Sequence, residues 1–198
     1  MKLIGITGGI ATGKSVVAGL IKTKGYPVID ADKVGHQVLE MESVKKTLIK
    51  EFGDILDPHE KVDRKKLGDI VFEDREKLKV LNGILHPKMV NVILKKSEEI
   101  KELNKEIFVE AAVLFEMGLD KHTDFIVVTD CPDEMRIERL MKRDRLSFNE
   151  AKKRVNFQSP REFFLKKADW VIDTSKDFEN TSKQVFKMLN LRPWSDKI

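Results

Sequence analysis

The stretch Gly8-Gly9-Ile10-Ala11-Thr12-Gly13-Lys14-Ser15 decides how this chain is read. It fits G-x-x-x-x-G-K-[ST], in which glycines let the backbone curl and aim successive N–H groups at phosphate oxygens. The flanks agree with that reading. Leu3-Ile4-Gly5-Ile6-Thr7 reads as a short buried strand, and Val16, Val17, Leu20 and Ile21 recur on one helical face. A helix opening at the end of the loop adds unsatisfied N–H groups and the positive end of its dipole. In a loop of this kind Lys14 reaches the β- and γ-phosphates, and the Ser15 hydroxyl binds Mg²⁺.

Working outward, a helix runs to about Lys24, where Gly25 is a stop signal. Pro27-Val28-Ile29 is a second short strand, ending in Asp30-Ala31-Asp32. Carboxylates at the C-terminal end of a strand in an open α/β sheet stand where ligands bind. Asp30 and Asp32 share a side if the chain stays extended. If it turns helical at Ala31, one of them is an N-cap instead, and both readings stay open. From Lys33 to about Lys105 the pattern is helical. Asp63 is a plausible N-cap for Leu67, Ile70 and Val71, Asn82-Gly83 closes a segment carrying Leu78 and Leu81, and His86-Pro87 opens a further helix.

Ile107-Phe108-Val109, Phe125 to Asp130 and Trp170 to Asp173 read as three more strands, the second a nearly continuous apolar run. A charged helix spans Asp133 to Asp144, with Arg136, Arg139 and Arg143 on one face. That face is either a salt-bridged surface or a set of cations around a migrating phosphoryl group. A helix from about Asn149 to Phe157 follows and is broken at Pro160, and Phe178 to Leu189 closes the chain. Strands alternating with helices give an α/β class with a mostly parallel sheet.

The 198 residues suit one α/β unit, with 41% hydrophobic residues for a core and 35% charged residues for a solvated surface. A net charge of +4 suits a polyanionic ligand such as a nucleotide without demanding nucleic acid. Cys131 is the only cysteine, which excludes an internal disulfide and a Cys-rich metal site, so a reducing cytoplasm is the expected compartment. Thr7, Gly8 and Gly9 interrupt the apolar run after Lys2, so no signal peptide is expected. No stretch approaches the roughly 18 apolar residues of a membrane span.

Taken together, these blocks resemble the dephospho-coenzyme A kinase family of the P-loop kinase group. The resemblance is carried by Ile4 through Ser15, Val28-Ile29-Asp30-Ala31-Asp32, Asp63-Arg64-Lys65-Lys66-Leu67-Gly68-Asp69-Ile70-Val71-Phe72, His86-Pro87 and Leu114-Phe115-Glu116. It continues through Arg139-Leu140-Met141-Lys142-Arg143-Asp144, Ser147, Ala151, Arg154 and Gln158 to Ala168-Asp169 and Val171-Ile172-Asp173. It implies a P-loop nucleoside-triphosphate hydrolase-type three-layer α/β/α fold with a five-stranded sheet. Core segments 1–32, 105–133 and 167–198 would carry a helical dephospho-coenzyme A-binding insertion at 33–104 and a helical lid at 134–166.

The implied reaction moves the γ-phosphoryl of ATP to the ribose 3′-hydroxyl of dephospho-coenzyme A, with Mg²⁺. Carried over by position, ATP contacts fall on Gly8, Gly9, Ala11, Thr12, Gly13, Lys14, Ser15 and Val16, on Arg139 and Arg143, and on Thr174 near the base. Asp32 is the implied base, joined by Lys14 and Arg139 in catalysis. Asp30 orients the acceptor or the metal's shell, and Asp32 also reaches Mg²⁺ through water. His86, Phe115 and Glu116 fall in the part holding dephospho-coenzyme A. His86 also reads as a cap or packed residue, and Phe115 as core. Two positions depart from the family pattern. His36 stands where Arg is usual, and Glu110 keeps a carboxylate one methylene further out than the usual Asp. No basic, aromatic-interleaved stripe occurs, so small molecules and not nucleic acid are the expected partners, and a monomer is favoured.

Overall fold

A computed structural model describes residues 1–72 and 74–195; positions 73 and 196–198, which fall in the expected insertion and closing core segment, lie outside it. Five strands form the frame: β1 (Lys2–Thr7), β2 (Val28–Asp30), β3 (Glu106–Glu110), β4 (Phe125–Asp130) and β5 (Trp170–Asp173). Their order is β2-β3-β1-β4-β5, and every pairing is parallel. β1 is the middle strand, with Ile4 opposite Phe108 on one side and Phe125 on the other.

Alternation along the strands feeds two separate cores. Ile4, Ile6, Phe108 and Val127 face α1 (Lys14–Thr23) and α9 (Phe178–Leu191), burying Val17, Ile21, Val185, Met188 and Trp194. Leu3, Ile107 and Val109 face the other way, onto helices contributed by residues 31–100. Because both faces are covered, the strands read as apolar runs, and the molecule has the three layers expected.

The helical stretch divides into α2 (Ala31–Leu39), α3 (Glu42–Phe52), α4 (Arg64–Phe72) and α5 (Arg75–Ile100). The Asp63 carboxylate accepts from the N–H groups of Lys65 and Lys66, so it caps α4 as expected. Asn82-Gly83 does not end a helix, however, and His86-Pro87 does not start one: α5 runs unbroken through both for 26 residues. Locally a glycine and a proline cost a helix about 1 and 3 kcal/mol. Leu81, Met89, Val90 and Ile93 are buried along the same helix against α2, α3 and α4, and that apolar area outweighs the local cost.

Beyond β4 come α6 (Asp133–Asp144) and α7 (Phe148–Phe157), close to the expected spans. Pro160 does more than end α7. It precedes α8 (Arg161–Lys167), a helix the periodicity did not announce. Its Phe163 and Phe164 pack edge-on to each other, and Phe163 meets Phe115 at 5.3 Å between ring centres. Seven residues are too few for a clear apolar stripe, so tertiary packing makes this helix. Among the described residues no helix is long and apolar enough to cross a membrane.

Candidate functional site

The loop between β1 and α1 adopts backbone angles that few sequences tolerate. Gly8 and Gly13 have φ of 143° and 87°, and Ala11 is left-handed at 62°. At Gly8 a Cβ would stand 2.4 Å from the Thr129 carbonyl, so the strand passes through a gap that only glycine leaves. Thr12 anchors the back of the loop, with its hydroxyl 2.8 Å from the Gly9 carbonyl and 2.7 Å from the Thr129 hydroxyl. α1 opens with Lys14 directly behind, so its first amides face the same space.

Lys14 curls over the loop and donates to the carbonyls of Gly8 (3.0 Å) and Gly9 (2.9 Å). Burial pulls its amine down from 10.5 to about 8, against the upward pull of the Glu110 and Asp32 carboxylates. Ser15 donates its hydroxyl proton to Glu110 Oε1 at 2.7 Å. That bond turns the oxygen lone pairs of Ser15 away from Glu110 and gives the longer carboxylate at this position a defined task.

Asp30 and Asp32 part company. The chain turns helical at Ala31, and Asp30 becomes the N-cap of α2, accepting from the Lys33 N–H at 3.1 Å. The capping alternative therefore holds for Asp30, and the two side chains do not share a strand face. Asp32 sits in the first helical turn, exposed, on the wall of the same cavity.

The arginines of α6 divide as well. Arg139 donates to the Ala11 carbonyl (3.2 Å), the Thr174 hydroxyl (3.2 Å) and the Thr174 carbonyl (2.5 Å), and so ties the loop to the end of β5. Thr174 is buried, and its hydroxyl also donates to the Thr12 carbonyl at 2.8 Å, so it braces loop and arginine together. Arg143 lines the cavity but forks onto Asp144, which it shares with Arg154. Arg136 is buried and pairs with Asp133 at 2.8 Å.

These groups surround one cavity of about 910 Å³ that brings together Lys14, Ser15, Asp30, Asp32, Glu110 and Arg139. His86 and Glu116 lie elsewhere, on a second cavity of about 490 Å³ with Arg75, Lys79 and the exposed ring of Phe157. Burial holds the His86 imidazole below its ordinary range, against a hydrogen bond to the Glu116 backbone. Phe115 joins neither cavity. Half-buried, it packs against Phe163 and Phe164 under the Lys167 ammonium.

Several wall residues, Glu110, Gln158, Lys176 and Phe178 among them, escaped sequence reasoning as site residues. Glu110 stood only as a departure from a pattern, although its place at the end of β3 opposite Asp30 was a usable signal. Phe178 and Lys176 reach the main cavity from the start of α9, and nothing in their local sequence marks them.

The donor set is one of hard oxygens, from Ser15, Glu110, Asp30 and Asp32, which suits Mg²⁺ better than softer metals. Among the described residues no group of three or more His, Cys, Asp or Glu forms a metal cage.

Comparison with known proteins places the chain among relatives of one kind. Residues 2–180 match the family model described as dephospho-CoA kinase. A dephospho-CoA kinase of Fusobacterium nucleatum is 42% identical over 184 residues, covering 92% of this chain and 94% of that protein. One from Arabidopsis thaliana is 41% identical over 194 residues, covering 96% and 83%. Among solved structures, the dephospho-CoA kinase of Campylobacter jejuni superimposes with a TM-score of 0.75 at 32% identity, covering 98% of each chain. A shikimate kinase of Aquifex aeolicus, at 18% identity and a TM-score of 0.52 over 96% of this chain and 97% of that one, shares the fold.

Proposed function

This chain belongs to the dephospho-CoA kinase family, and on that premise we propose how its residues carry out the reaction. The activity is ATP-dependent phosphorylation of dephospho-coenzyme A, giving coenzyme A and ADP, the last step of coenzyme A biosynthesis. The loop amides of residues 8–15 and the start of α1 grip the β- and γ-phosphates, and Lys14 swings from its own loop carbonyls onto them. Arg139, already fixed against Ala11 and Thr174, covers the phosphates from α6, and Arg143 joins by releasing Asp144. These cations offset charge on the transferring group in a site that needs no rearrangement at the moment of reaction.

Asp32 takes the proton of the 3′-hydroxyl. One observation carries this role: it is the exposed carboxylate that shares the cavity with Lys14 and Arg139, while Asp30 is committed to capping α2. General-base help of this kind accelerates transfer by about 10²–10⁴-fold. Mg²⁺ would be held by the Ser15 hydroxyl and, through water, by Asp32 and Glu110, and would supply positive charge to the β- and γ-phosphates. Glu110 keeps the Ser15 proton pointed away from that position.

His86 and Glu116, with Arg75 and Lys79 beside them, hold the part of dephospho-coenzyme A remote from the reacting hydroxyl. Residues 33–104 then act as the acceptor-binding insertion and 134–166 as a lid whose closure excludes water and suppresses wasteful ATP hydrolysis. The single unit works as a cytoplasmic monomer on two small molecules. The deciding experiment is a coupled assay with ATP, Mg²⁺ and dephospho-coenzyme A, with adenosine and AMP as competing acceptors. ADP release that follows dephospho-coenzyme A alone supports the reading. Release with AMP and none with dephospho-coenzyme A overturns it.

A further inference from the structure

We propose that Arg136 and Gln158 are positioning residues that clamp the Ile10 backbone and hold the phosphate loop in its receptive shape. The inference rests on the reading of residues 8–15 as the triphosphate site. The Ile10 N–H donates to Gln158 Oε1 at 2.5 Å, and the Ile10 carbonyl accepts from Arg136 Nε at 3.0 Å. Arg136 Nη2 donates to the same Gln158 oxygen at 3.2 Å, which closes a ring around the Ile10 backbone, through the peptide on each side of that residue. Arg136 Nη1 donates to Asp133 at 2.8 Å, so each guanidinium nitrogen has a partner.

Three features make this more than a buried ion pair. Arg136 is only 2% exposed, and burying a guanidinium is costly unless its donors are all engaged. Its plane fills the space over Gly9, where a Cβ would lie 2.4 Å from Nη2, so loop and arginine are shaped to each other. The residue it holds lies between Gly9 and Ala11, the latter in a left-handed conformation that persists only when its surroundings over-determine it. Fixing the Ile10 unit at both edges fixes how the neighbouring amides point. Arg136 is not on the wall of the main cavity, so it acts through the loop and not on phosphate directly, whereas Ile10 and Gln158 do line that wall. Gln158 is the residue that closes α7, so the clamp joins the end of that helix to the loop.

The test uses the full chain with ATP and dephospho-coenzyme A varied separately, alongside thermal melts. Gln158→Leu removes the acceptor and raises KM for ATP about tenfold or more, leaving KM for dephospho-coenzyme A within about twofold. Gln158→Glu keeps an oxygen in place and brings KM for ATP back to within about threefold of the parent. Arg136→Met has a larger effect than Gln158→Leu, and the double variant is no worse than Arg136→Met, because the two act as one unit. The clamp is overturned if KM for ATP stays put in Gln158→Leu, if both KM values rise together, or if the Leu and Glu variants are equally impaired. Should Arg136→Met fail to fold, the Gln158 pair decides alone. Should the parent protein not phosphorylate dephospho-coenzyme A, the proposed function fails, and ATP affinities of the Gln158 variants by calorimetry still test the clamp.

Discussion

The nucleotide and acceptor sides of the proposed site are built differently. At the nucleotide end, Thr12, Lys14, Arg139 and Thr174 are held by hydrogen bonds to backbone carbonyls of the loop and of the strand ends. At the acceptor end, Asp32 is exposed, and His86 and Glu116 open onto a separate cavity walled by α5, the segment after β3 and the end of α7. A charge-dense phosphate group can be met by a preformed cradle, because its shape is the same in every turnover. In the proposed function, a long acceptor spanning the two cavities would be met by side chains from distant segments. The preformed end would then govern how charge is stabilised, and the open end which alcohol is offered to it.

The sharpest break in this comparison is Asp32→Asn. It is expected to cut turnover by about 10²–10⁴-fold while ATP affinity, set at the other end, is unchanged. Turnover near the parent's, measured beside ATP binding by calorimetry, would remove Asp32 from the base role. Lys14→Met comes next, with kcat/KM for ATP falling by about 10²–10³-fold and affinity for dephospho-coenzyme A retained.

Acidity sharpens the contrast further. Burial sets the Lys14 amine at about 8, so below that pH it meets the phosphates as a cation and above it the free enzyme presents a neutral amine. Hence kcat/KM for ATP is expected to fall as pH rises through about 8, approaching tenfold per unit. A profile level to about pH 9.5 would contradict the lowered amine.

His86→Leu probes the open end. KM for dephospho-coenzyme A is expected to rise about tenfold, the worth of one hydrogen bond, with KM for ATP unmoved. An effect on both substrates would return His86 to a packing role. The smallest effect belongs to Asp30. Asp30→Ala is expected to cost about 1 kcal/mol of stability through the lost cap, and Asp30→Asn a few tenths at most. A stable Asp30→Asn variant with turnover down a hundredfold would place Asp30 beside Asp32 in the chemistry after all.

Much of this was legible from residue types alone. Five strands, the loop with Lys14 and Ser15, the closing helix and the resemblance that names the family all rest on local patterns, since period-2 and period-3.6 burial and glycine's tolerance of positive φ act within a few residues. Where local and distant terms competed, local reading failed. The break at Asn82-Gly83 lost to burial along α5, and α8 was too short to announce itself. Between the two roles for Asp30 and Asp32, spacing could not choose, because the choice depends on whether the chain turns helical at Ala31.

The sequence by itself determined that a phosphate-gripping loop lies between a strand and a helix, with carboxylates and arginines in reserve. Only the tertiary structure decided which side chains face the loop: Glu110 on Ser15, Arg139 on Ala11, and Arg136 and Gln158 around Ile10. The reason is that the contacts made to Ile10, Ala11 and Ser15 join residues 95 to 148 positions apart. Which pairs of distant side chains meet depends on sheet order and helix packing, and neither is written in any short stretch of chain.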